Sequence, residues 1–183
     1  MKRMLVLLLC LGLCGCATLP GTIKESVSGF DKATEITMEP AWVGNGLTGF
    51  KLGLFRSSRM EPDKAILTAY AIGAYNFDYG ESLHFNVDGE IISFKSIDSL
   101  TKIEMVPGEY NSVYSSAPYN LSSKRYEVTK DFIKRLLDAK EVWGKISLSQ
   151  TYVEAKFSVS VPMGAKNGFK KFYAKAWGKG ESK

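Results

Sequence analysis

Over residues 152–161 apolar and polar positions alternate one for one. Val153, Ala155, Phe157, Val159 and Val161 fall on one side, and Tyr152, Glu154, Lys156, Ser158 and Ser160 on the other. A period of two predicts a half-buried strand. The stretch ESLHFNVDGEIISF predicts a hairpin, because Asp88-Gly89 suits a two-residue type I′ turn. With that turn Val87 faces Glu90, Phe85 faces Ile92 and Leu83 faces Phe94. Leu83, Phe85, Ile92 and Phe94 then share one side, His84 lies with Ser82, Asn86 and Ser93 on the other, and only Ile91 sits among polar partners.

Further strands are predicted at 34–39, closed by Pro40, at 49–55 in a glycine-rich setting, at 65–76, at 102–106 before Pro107-Gly108, and at 143–149. Residues 109–125 are polar and turn-rich and read as a loop. Helical spacing appears twice, both times late. Phe132, Ile133, Leu136 and Leu137 recur over 130–140, with Thr129 or Asp131 at the start. Phe169, Phe172, Tyr173, Ala176 and Trp177 form one stripe over 165–177, with Lys171, Lys175 and Lys179 opposite. Strands followed by two late helices predict an α+β domain, an antiparallel sheet with the helices packed on one face. A β-sandwich with accessory helices is the rival.

The N-terminus follows another logic. Lys2 and Arg3 precede an apolar run from Met4 to Leu13, then the small Gly15, which is the three-part layout of a secretory signal. The run is too short to span a bilayer, which takes about 20 apolar residues. Leu13-Cys14-Gly15-Cys16 resembles the lipobox of bacterial lipoproteins. The resemblance implies cleavage before Cys16, a diacylglycerol thioether on its sulfur and a further acyl chain, such as palmitate, on its amine. Ala17, where Asp would favour the inner membrane, implies the outer membrane, with the protein expected to face the periplasm. The chain then divides into a signal peptide (1–15), a lipidated N-terminus and tether (16–31) and one globular domain (32–183).

Cysteine usage agrees with this reading. Of the three cysteines, Cys10 and Cys14 leave with the signal and Cys16 is consumed as the thioether, so the body is expected to have no disulfide, thiolate–metal site or cysteine nucleophile. The net charge of +5 loses Lys2 and Arg3 with the signal. From Met163 onward Lys166, Lys170, Lys171, Lys175, Lys179 and Lys183 face only one acid, Glu181, so the basic character is C-terminal.

Candidate chemistry is sparse. His84 is the only histidine, and no sharp G-x-S-x-G turn presents a serine to it. GNGLTG lacks the lysine and spacing of a phosphate loop. No metal, cofactor or nucleic-acid site is expected, and the protein reads as a non-enzyme. Trp42, Tyr70, Tyr75 and Tyr79 are candidate ligand-stacking aromatics, and Lys171, Lys175 and Lys179 candidate contacts to an anionic surface. The expected function is a lipid-anchored accessory or binding subunit, with the membrane and an envelope protein as partners. The alternatives are a glycan or small-ligand module using the aromatic segment and, behind it, an envelope-polymer hydrolase.

Overall fold

A computed structural model describes residues 19–44, 49–108, 117–157 and 163–178. The elements in order are β1 (Ile23–Val27), β2 (Thr34–Val43), β3 (Phe50–Ser57), β4 (Lys64–Ile72), β5 (Glu81–Val87), β6 (Glu90–Lys95), β7 (Lys102–Val106), β8 (Tyr119–Thr129), α1 (Lys130–Asp138), β9 (Val142–Leu148), β10 (Thr151–Lys156) and α2 (Ala165–Trp177). The fold is α+β, with antiparallel strands and both helices late in the chain. The strands form a six-stranded sheet, β1-β2-β3-β4-β8-β7, and a four-stranded sheet, β10-β9-β5-β6.

Alternation decides which side chains enter the space between the sheets. Leu52 and Leu54 of β3, Ala65, Leu67, Ala69 and Ala71 of β4, and Tyr126 and Val128 of β8 point inward from the larger sheet. Leu83, Phe85 and Val87 of β5 and Val142 and Ile146 of β9 point inward from the smaller. The helices fill the remaining gap rather than decorating the outside. The Phe132 ring of α1 meets Phe85 at 5.3 Å and Phe94 at 4.6 Å, and Phe169 of α2 meets Phe157 at 5.0 Å. The Thr129 side chain caps α1 by accepting from the Phe132 N–H at 3.2 Å.

The hairpin forms as its sequence predicts. Asp88 and Gly89 both have positive φ, 51° and 96°, as a type I′ turn requires, and Leu83↔Phe94, Phe85↔Ile92 and Val87↔Glu90 pair across it.

Several boundaries differ from expectation, and the strand expected over 65–76 already ends at Ile72. Residues 23–27, expected in a free tether, form edge strand β1 along β2, and Lys24 reaches Glu39 at 2.6 Å. β2 does not stop at Pro40 but runs on to Val43, because a register shift between Met38 and Ala41 absorbs the missing N–H. β8 begins at Tyr119 inside the expected loop; residues 109–116 of that loop, and 158–161 of the last expected strand, lie outside the described residues.

The serines that made β8 look loop-like have interior work. Ser122 Oγ donates to the Gly73 carbonyl at 2.7 Å and accepts from the Tyr75 N–H at 2.9 Å, which fixes the β4–β5 connection. Lys124, 3% exposed, donates to the Asp78 carbonyl at 3.3 Å. The buried Tyr126 hydroxyl pairs with Ser82 Oγ at 2.8 Å, and burial pushes the phenol well above its ordinary range. Tyr126→Phe should cost about 1–3 kcal/mol by leaving the Ser82 hydroxyl buried without this partner. Adding Ser82→Ala should recover part of that loss, measured by urea unfolding as a double-mutant cycle.

Candidate functional site

The outer face of the four-stranded sheet is built by the same alternation that builds the core. Each inward residue of β5, β6, β9 and β10 sends its neighbours outward. Register then sets the rows: Lys156–Trp143–Asn86–Ile91, and beside it Glu154–Lys145–His84–Ser93. In the first row the short Asn86 lies between two tall apolar side chains, Trp143 at 42% exposure and Ile91 at 71%. The result is a shallow trough of about 310 Å³ with His84, Asn86, Ile91, Trp143, Lys145 and Glu154 in its lining.

The aromatic wall of this trough is held in place. The Trp143 Nε1–H donates to Glu141 Oε1 at 3.4 Å, and Lys156 Nζ donates to the same oxygen at 2.7 Å while lying 5.8 Å from the indole centroid. Lys156 first, then Trp143, holds the Glu141 carboxyl below its usual range. Tyr152, 55% exposed, carries the Lys145 ammonium 4.5 Å from its ring centroid. Neighbouring aromatic and basic groups therefore stand ordered on an open surface.

His84 sits in the floor with both ring nitrogens engaged, Nδ1 with Ser93 Oγ at 2.8 Å and Nε2 with Ser147 Oγ at 3.1 Å. Burial lowers its pKa, Lys145 lowers it further, and Glu81 and Asp78 oppose weakly. The imidazole is neutral at pH 7, so one nitrogen accepts and the other donates. Because the unfolded histidine takes its proton near pH 6.5 and the folded one only below that, acidification through this window binds more protons to the unfolded chain. Stability should fall as pH drops from 7 towards 5, and His84→Gln should flatten that slope. Thermal melts of both proteins at the two pH values measure it.

The aromatic residues singled out in the sequence do not gather. Trp42 and Tyr70 lie on the outer face of the six-stranded sheet on either side of Lys51, whose ammonium is 4.8 Å from the Trp42 centroid and whose pKa burial lowers. Tyr75 hangs from the inward-directed Ser122 in the β4–β5 connection. Tyr79 is 90% exposed near Lys124. A single groove lined by all four is therefore replaced by two separate places, and the ordered aromatic of the trough, Trp143, was not among them. Its signal was present in the alternation of residues 143–149, which sends Trp143 outward with Lys145 and Ser147.

On α2, Lys171 and Lys175 are exposed, and Lys175 pairs with Glu25 of β1. Cys16 and Lys179 lie outside the described residues. Among the described residues no three His, Asp or Glu side chains gather as a metal would need, and no helix is long and apolar enough to cross a membrane. Set against protein-family models, curated proteins and solved structures, the chain matches none.

Proposed function

We propose that this protein is a lipid-anchored, non-enzymatic lipoprotein of the cell envelope, a binding or accessory subunit that presents the outer face of its four-stranded sheet to a partner. The observation that carries the reading is the fixed, exposed Trp143, oriented by Glu141 and Lys156. An aromatic side chain already ordered before contact loses little freedom on binding, which is the quality that makes tryptophan an anchor in interfaces. The membrane half of the proposal rests on the lipobox resemblance at Cys16 and places the protein on the periplasmic side of the outer membrane.

A photo-crosslinking side chain at Ile91 in intact cells tests the first half. One envelope component should be captured there, and lost when Trp143→Ala is added. Equal capture from a crosslinker at Phe55, on the opposite sheet, would sink the reading. Cys16→Ala tests the second half: the protein should leave the membrane fraction.

A glycan-binding module is a second reading, supported by the trough's apolar walls, Trp143 and Ile91, over a polar floor of Asn86 and His84. A sugar ring offers the matching apolar face and hydroxyl edges. Neutral oligosaccharides should then shift the Trp143 indole N–H signal in NMR spectra while leaving that of Trp42 in place.

A further inference from the structure

Gly21 and Gly168 put the start of the domain directly on α2. A side-chain carbon built on Gly21 would meet the Gly168 Cα at 3.5 Å, and one built on Gly168 would meet the Gly21 Cα at 3.2 Å. Gly21 has φ +72°, which its lack of a side chain allows. Its N–H donates to the Glu39 carbonyl at 3.1 Å, and Thr22 N–H donates to the Leu19 carbonyl at 3.1 Å, so the chain is tied down from Leu19 onward.

Only five steps separate Cys16 from Gly21. Fully extended they reach at most about 18 Å, whereas a domain of this size is about 40 Å across. A lipid on Cys16 therefore cannot be reached with α2 turned to the far side of the domain. Helix α2 is basic: it carries Lys166, Lys170, Lys171 and Lys175, the last three exposed, and residues 163–178 contain no Asp or Glu. Lys171 and Lys175 border a shallow hollow with Thr22, Ile23 and Glu25 of the N-terminal strand. The acids on this corner are already engaged, Glu25 with Lys175 and Glu39 with Lys24.

We infer that the domain is held with α2 against the membrane, Lys170 and Lys171 lying on anionic lipid headgroups, so that the lipid and the helix fix its orientation together. The inference rests on the proposed lipidation of Cys16. The short reach supplies proximity and the lysines supply attraction, each worth about fivefold in surface partitioning near an anionic leaflet.

The test uses the full, lipidated protein in vesicles of phosphatidylcholine, with and without an equal amount of phosphatidylglycerol. Once Cys16 is acylated, a cysteine introduced at Ala174 in α2 or at Lys95 on the four-stranded sheet is a single labelling site. With phosphatidylglycerol present, headgroup-attached nitroxide should quench a fluorophore at 174 at least severalfold more than one at 95. High salt, or Lys170→Glu with Lys171→Glu, should shrink the difference to what the short tether alone maintains, while circular dichroism stays unchanged. Equal quenching at the two positions in anionic vesicles overturns the orientation and leaves the anchor standing. Mass spectrometry finding Cys16 without acyl chains overturns the anchor, and the orientation with it.

Discussion

Phe85→Ala should be the most damaging single truncation in the domain, at about 3–5 kcal/mol. Phe85 is fully buried, and its ring packs edge-on against Phe94 at 6.3 Å, Phe132 at 5.3 Å and Phe157 at 6.5 Å. Those partners come from the neighbouring strand β6, from helix α1 and from the residue after β10. One ring thus ties the smaller sheet to the helical layer. Alanine would remove the shared partner of all three, and their own attachments to separate elements limit how far they can close the gap. Against a typical total of about 5–15 kcal/mol, such a loss takes a large share of the stability. Urea unfolding should show the midpoint falling with the slope unchanged, and Phe85→Leu should retain most of the stability because it keeps most of the volume.

Gly144→Val is the second large effect, expected at about 1–3 kcal/mol and opposite in sign to the ordinary preference of strands for valine. A first side-chain carbon on Gly144 would lie 2.7 Å from Phe50 Cζ and 3.4 Å from Phe85 Cε1. Phe50 is itself fully buried, so its ring has nowhere open to move. Trimming that ring should make room: Phe50→Leu combined with Gly144→Val should lose less than the two single variants added together. Thermal unfolding of the four proteins completes the cycle.

Much of this architecture could be read from period and turn chemistry. The hairpin around Asp88-Gly89 and helix α2 have local signals strong enough to survive without tertiary help, and both stand where they were expected. β1 could not be seen that way, because IKESV is mostly exposed and charged, and its place comes from pairing with β2 and from Lys24–Glu39. β8 was hidden for the opposite reason: Ser122, Ser123 and Lys124 are polar yet buried, and the partners that permit this include backbone carbonyls some 50 residues away in sequence, such as Gly73. The site follows the same rule. Alternation sends Trp143 outward, but only the register of β9 with β10 and β5 sets it beside Lys156 and Asn86. Four aromatics scattered through the first half of the chain gave a composition signal with no geometry behind it.

The meeting of Phe50 with Gly144 also bears on cargo. Hollow barrels carry fatty chains because their walls stand apart around open space. Here a ring from one wall rests on the bare backbone of the other, so at that level the two walls touch. Under the proposed binding role, a contact between the walls at this level favours a grip from outside, on the exposed face of the smaller sheet, over enclosure between the sheets.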